Sequence, residues 1–240
     1  MKTRFYARML FGASAVLFGI ITLIWRDADT WQNDALRLGA VIGACLAIAQ
    51  IGGGIALPFA RSARLASIAL AIVYAIFTLA CVPGIVAKPA VYVEYGNFFQ
   101  WFALVCGALA GYAATSTTTS AARFGLVARL GLGVCAVSFT IAQIVYLRFT
   151  ASLVPTWIPP SQMFWTIFTT IAFGLAVMAI LVNRCARLAL QLMTLMLALF
   201  GFLVWVPRLL AHPEMHGNWS EFAINFLVAG AAWMVAQTIA

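Results

Sequence analysis

Eight apolar stretches, each close to twenty residues long, follow one another along this 240-residue chain, and they leave few folds open. A hydrocarbon layer about 30 Å thick is crossed by about 20 helical residues rising 1.5 Å each. The stretches fall at 9–25, 38–58, 65–83, 98–115, 125–146, 163–182, 188–206 and 222–239, with charged or turn residues between them. A soluble globule of this size needs a polar coat, and the chain cannot supply one. Hydrophobic residues make up 65% of it and charged residues 8%, where an ordinary domain is about a quarter charged. The same shortage excludes a disordered chain, a nucleic-acid binder and a secreted disulfide scaffold. The expectation is an all-α integral membrane protein whose eight transmembrane helices sit in a lipid bilayer. The first stretch follows Lys2, Arg4 and Arg8, as a secretory signal would. Trp25-Arg26-Asp27 follows it where a cleavage site would need small residues, so it reads as a retained helix.

Charge sets the orientation. With eight spans, one side receives Lys2, Arg4, Arg8, Arg61, Arg64, Arg123, Arg129, Arg184 and Arg187 and no acid. The other receives Arg26, Arg37, Lys88, Arg148 and Arg208 together with Asp27, Asp29, Asp34, Glu94, Glu214 and Glu221. The positive-inside rule then places both termini in the cytoplasm. Seven of the eight tryptophans fall near the outer interface, where an indole suits the headgroup level. The net charge of +8 is therefore a topology signal, and the basic inner face also attracts anionic lipid.

The two halves repeat each other's punctuation. Ala63-Arg64-Leu65-Ala66 opens the third span and Ala186-Arg187-Leu188-Ala189 the seventh; Val82-Pro83 and Val206-Pro207 close them. Lys88-Pro89 and His212-Pro213 follow, then Gly96-Asn97 and Gly217-Asn218; Ala7-Arg8 with Gly12 matches Ala128-Arg129 with Gly133. Matched Arg, Pro and Gly in the same order point to duplication. Residues 1–115 form a first four-helix repeat, 116–124 a Ser/Thr-rich cytoplasmic linker and 125–240 a second repeat. Four spans per half make the repeats parallel, related by a pseudo-two-fold axis along the membrane normal. The expected fold is thus two four-helix bundles. Gly52-Gly53-Gly54 inside the second span predicts a helix break or a close backbone approach.

The second half resembles a known family. Leu153-Val154-Pro155-Thr156-Trp157-Ile158-Pro159 with Phe164-Trp165 is similar to the entry into the second helix of DoxX-like membrane proteins. Arg184-Cys185-Ala186-Arg187-Leu188-Ala189 resembles that family's inner turn. Val206-Pro207-Arg208-Leu209, with Trp219 and Ala229-Gly230-Ala231-Ala232, resembles its third-helix exit and fourth helix. The match covers about residues 125–239, with the first half a diverged copy. The resemblance implies four-helix bundles in the bacterial cytoplasmic (inner) membrane, some of them associated with quinone-linked oxidoreductases such as thiosulfate:quinone oxidoreductase. Family members often carry an acid in the second helix. Gln50 stands near that place here, and the second half has Thr169, Thr170 and Phe173.

Chemistry is sparse. Intramembrane haem needs inward His or Met ligands; both histidines, His212 and His216, fall in the last outer loop, and Met163, Met178, Met193 and Met196 read as core filling. His212-Pro213-Glu214-Met215-His216 lacks metal-site spacing, so no metal is assigned. Five cysteines include no CxxC pair; Cys81 and Cys106 lie in adjacent spans but at different depths. The eight spans as drawn contain no Asp, Glu, Lys or His, which disfavours ion coupling. Polar neutral residues remain: Gln50, Gln143, Gln191, Asn225, Thr166, Thr169 and Thr170. No self-sufficient catalytic constellation is present. The leading expectation is a non-catalytic subunit or scaffold that binds another membrane protein or redox subunit. Two alternatives stand beside it: a quinone-binding subunit, with Gln50, Trp157 and Trp219 as candidate contacts, and a transporter or channel for a neutral or lipidic substrate.

Overall fold

The computed structural model describes residues 2–25, 39–116 and 120–239. Among these the chain is helical throughout. The helices are α1 (Lys2–Trp25), α2 (Ala40–Ala56), α3 (Ala63–Ala80), α4 (Val82–Ala87), α5 (Tyr92–Thr115) and α6 (Ala121–Val145). They continue with α7 (Leu147–Leu153), α8 (Gln162–Val182), α9 (Ala186–Phe200), α10 (Val206–Ala211) and α11 (His216–Ala236). A π turn over Gly201–Trp205 joins α9 to α10. Seven helical segments are long and apolar enough to cross a membrane. The second expected span, 38–58, appears as the shorter α2, an apolar helix of 17 residues. Of the remaining sequence readings, the acids and Trp31 of the first outer loop and Thr117–Thr119 of the linker lie outside the described residues.

The prolines reshape two of the long segments. Pro83 and Pro207 have no N–H to give, and their rings crowd the preceding turn. In the first half the helix stops at Ala80 and restarts at Val82. In the second half the strain is absorbed as the π turn before α10. Both segments then end alike. Lys88 (φ −135°, ψ 62°) and His212 (φ −140°, ψ 69°) cap them, donating their N–H to the carbonyls of Gly84 and Arg208 at 2.9 Å. The Tyr95 hydroxyl donates to the carbonyl of Pro89 (3.2 Å), and the Trp219 indole N–H donates to that of Pro213 (2.9 Å). These turns, with Pro155, form one end of the bundle, the proline end; Arg61, Arg64, Arg184 and Arg187 mark the opposite, basic end.

The helices close a ring. α1 packs on α2, α2 on α3, α3 on α5, α5 on α6, α6 on α8, α8 on α9, α9 on α11, and α11 back on α1. α5 and α11 also pack on each other through the centre. They form a wall between two lobes, one enclosed by α1–α3 and the other by α6, α8 and α9. Each half's first helix thus rests on the other half's last helix, so the halves interlock.

At the central crossing, Gly107 of α5 meets Ala231 of α11; a Cβ built on Gly107 would lie 2.6 Å from the Ala231 Cβ. The glycine run in α2 does not break the helix. Gly54 faces Gly12 of α1 so closely that a Cβ on Gly12 would sit 2.5 Å from the Gly54 carbonyl oxygen, so α1 and α2 touch backbone to backbone.

The exterior is apolar in rows. Ile171, Leu175, Met178 and Val182 run down the outside of α8, and Leu188, Leu192, Leu195 and Leu199 down α9, all exposed. So large an apolar surface is unstable in water and natural in lipid. Gly107→Val should lower the thermal unfolding midpoint in mild detergent, since overpacking costs about 1–3 kcal/mol. Gly52, with nothing within 4 Å of a built Cβ, should accept alanine without loss. Equal behaviour of the two variants would contradict the crossing.

Candidate functional site

Burying polar side chains inside a membrane helix bundle requires partners for them. The polar residues on α6 and α8 find theirs across the helix interface. The Thr170 hydroxyl donates to Gln143 Oε1 at 2.8 Å, and Thr169 lies 3.4 Å from the same oxygen. Both hydroxyls can also donate to backbone carbonyls one turn back, of Thr166 at 2.7 Å and Trp165 at 2.9 Å. The Gln143 oxygen is thereby held against α8, and its amide nitrogen donates to none of the described residues. On α11, Asn225 donates through Nδ2 to the carbonyl of Leu197 at 2.7 Å. That carbonyl also accepts from the Gly201 N–H at the start of the π turn. One Asn225 N–H is therefore committed, and its Oδ1 accepts from none of the described residues.

Gln143 and Asn225 line a cavity of about 640 Å³ in the second lobe, within the range of small-molecule sites. Its walls are otherwise mostly apolar. Phe139, Phe173, Leu197, Phe200 and the π-turn residues Leu203–Trp205 form much of them, and Thr166, Thr169 and Glu221 add polar atoms. Pro155, Ile158 and Trp165 line it at the proline end, where the Trp165 indole donates to the Pro159 carbonyl at 2.8 Å, and the exposed Leu192, Leu195 and Leu199 line it along α9. A smaller cavity of about 260 Å³ continues between α8 and α9 towards Cys185, sharing Ala172, Leu192 and Met196 with the first.

The helices at the proline end reach further than hydropathy suggested. α5 and α11 begin at Tyr92 and His216, six residues before the expected 98 and 222, so Glu94, His216 and Glu221 lie in helices. Glu94 is sheltered beside Lys88 at 3.6 Å, and Glu221 lines the cavity. These three residues lie before the apolar runs 98–115 and 222–239 and within the helices that carry them. Helix ends extend past the hydrocarbon edge, where a hydropathy window sees only polarity. His216 stacks on Trp25 (5.4 Å, 14°) and shares a hydrogen bond with Ser220 (3.1 Å), whereas His212 pairs with Glu214 (3.2 Å). The two histidines thus face different partners. Cys106 and Cys135 of α6 are neighbours, both buried, while the Cys81 thiol reaches the Phe77 carbonyl at 3.4 Å.

The three residues picked from sequence as ligand contacts are not brought together, and none lines the cavity. Gln50 is buried and donates to the Ala15 carbonyl at 3.1 Å, tying α2 to α1. Trp157 is 69% exposed, beside cavity residues Pro155 and Ile158. Trp219 is half-buried, held by Pro213, its ring 6.2 Å from that of Trp25. Gln143 and Asn225 were visible only as ordinary polar span residues.

An aromatic cluster occupies the first lobe. Trp101 of α5 is fully buried among Phe77 (4.7 Å between ring centroids), Phe18 (5.4 Å, edge-on at 85°) and Tyr74 (6.1 Å).

Fold and site together define a multi-pass α-helical membrane protein with a ligand-sized cavity in its second lobe. Compared with protein-family models, curated proteins and solved structures, the chain shows no match.

Trp101→Ala should destabilise the protein by about 3–5 kcal/mol, the cost of deleting a large buried aromatic, read as a drop in unfolding midpoint. Trp157→Ala should leave that midpoint in place; a comparable loss in both would contradict the packing described here.

Proposed function

We propose that this chain is an eight-span inner-membrane protein of two duplicated, parallel repeats, and that its second repeat holds an amphiphilic, lipid-like ligand. The observation that carries the ligand reading is the cavity of about 640 Å³, with Gln143, Thr169 and Asn225 gathered in an otherwise apolar chamber. A hydrogen-bonding head among those residues and an apolar tail along the α8–α9 groove would satisfy both kinds of wall. Against a non-catalytic scaffold, the cavity favours a ligand-holding protein. The DoxX-like motifs of residues 125–239 agree with a protein that serves a membrane redox system.

Eight crossings are supported by connectivity. α1 ends at the proline end and α3 starts at the basic end, so the chain must return between them, and α2 packs against both. Duplication is supported by the matched caps at Lys88 and His212 and by the two-fold symmetry of the packing ring. The contact of Gly107 with Ala231 adds to this. These residues stand 124 apart, as do Lys88 and His212, whereas the Gly96-Asn97 and Gly217-Asn218 pairs, 121 apart, fall out of this register; a residue that touches its own counterpart lies on the pseudo-two-fold axis. The basic end faces the cytoplasm on the positive-inside rule.

Two measurements test the reading. Cys185 is exposed at the basic-end turn between α8 and α9, so a membrane-impermeant maleimide should label it in inside-out vesicles and not in right-side-out ones. The reverse pattern would overturn the orientation. Mass spectrometry of protein in mild detergent should find one specific amphiphile retained near one per chain, and Ala172→Phe, which fills the cavity, should lose most of it. Bulk phospholipid alone, unchanged by the variant, would return the scaffold reading to the front.

A further inference from the structure

The two cavities of the second lobe meet. Ala172, Leu192 and Met196 belong to both, so chamber and groove form one cleft between α8 and α9. Its ends differ in chemistry. Towards the proline end, Gln143, Thr169 and Asn225 present amides and a hydroxyl. From Ala172 as far as Cys185, the groove is lined by alanine, leucine and methionine. Thr169 to Ala179 is ten residues of α8, about 15 Å at 1.5 Å each, or half of a hydrocarbon layer about 30 Å thick. The apolar arm therefore has the depth that one leaflet's acyl chains fill. Ala172, Ala176 and Ala179 recur at helical spacing along it, so the arm runs straight down one face of α8. The cleft is also open along its side. Phe168 and Leu175 of α8 and Leu188, Leu192, Leu195 and Leu199 of α9 line it and are exposed, facing the bilayer.

We propose that this cleft takes a neutral acylglycerol sideways from the bilayer, with one unbranched acyl chain along the alanines of α8 and the glycerol ester head between Gln143 and Asn225. The proposal rests on the ligand-holding reading above and names its ligand class. The straight chain follows from the arm, whose small side chains leave room for methylenes. The regular methyl branches of an isoprenoid would press into those walls. The ester follows from Gln143, whose Oε1 is held by Thr170 while its amide nitrogen offers donors to a carbonyl. The glycerol follows from Asn225, whose Nδ2 is tied to the Leu197 carbonyl while Oδ1 offers an acceptor to a hydroxyl. Neutrality follows from the walls, since no Lys or Arg among the described residues lines either cavity. A phosphate or carboxylate there would be buried without a counter-charge. Sideways loading follows from the exposed leucines, past which the chain moves without leaving hydrocarbon.

The test uses the full-length protein in phosphatidylcholine nanodiscs, with a 1-monomyristoylglycerol carrying a photoreactive diazirine at its chain end. Light should attach the probe to residues 179–189, around the far end of the groove, and excess unlabelled monomyristoylglycerol should abolish this. Geranylgeraniol and myristate should each compete at least about fivefold more weakly, because overpacking and burial of a charge both cost affinity. Ala176→Leu, which blocks the arm, should remove the label from 179–189. Gln143→Leu should weaken competition by monomyristoylglycerol about two- to tenfold, the range for one lost hydrogen bond. If Ala176→Leu does not fold, Gln143→Leu decides alone. Label spread over the outward residues Ile171, Met178 and Val182, or equal competition by geranylgeraniol, would overturn the acylglycerol proposal while leaving an amphiphile site standing. Absence of saturable labelling would overturn it as well, and with no amphiphile retained by the purified protein would remove the ligand-holding reading too.

Discussion

The close crossing of α5 and α11 is the constraint on which the rest of this structure depends. Within a bilayer the hydrophobic effect does not draw helices together, and close van der Waals packing must do so. Gly107 against Ala231 lets the two backbones meet at the centre. α11 brings Ala223, Ala229, Gly230, Ala231, Ala232 and Ala236 to the same task, and all are buried. Because the wall is thin, both first helices can reach it. A Cβ on Gly230 would sit 2.8 Å from the Phe11 Cα, so α1 lies directly on α11. On the other side, α6 lies on α5 through Gly131 and Cys106. The interlocking of the halves is a consequence of this geometry.

Once the wall is in place, the two lobes differ in what they hold. An aromatic cluster stabilises the first lobe by dispersion and ring–ring contacts, each pair adding about 0.5–1.5 kcal/mol beyond burial. The second lobe forgoes that stabilisation and holds its walls apart with polar ties instead, Thr170 to Gln143 and Asn225 to Leu197. The π turn belongs to the same arrangement, since it brings Leu203–Trp205 to the cavity and releases the Leu197 carbonyl to a second donor. Such turns recur at functional sites.

Helix type and seven of the eight expected spans were legible in the sequence because hydrocarbon thickness acts on every span equally, and the length of an apolar run reads it directly. The ends were less legible. Glu94 and Glu221 sit inside helices because they lie near the interface, where charge is tolerated and the helix continues. α2 came out short for its apolar run because Leu57 starts a turn. The ligand contacts were the least legible. Gln50 looks like Gln143 in the sequence, yet one is spent on the Ala15 carbonyl and the other opens on a cavity. What distinguishes them is the space beside each, and space is a property of neighbouring helices.

The most direct test of this account is an experimental density map of the protein in lipid nanodiscs. The account predicts elongated non-protein density beside Gln143 and Asn225, running between α8 and α9, with Trp101 filling the matching place in the first lobe. A second lobe collapsed on itself, with α8 seated against α9 and no density between them, would contradict it.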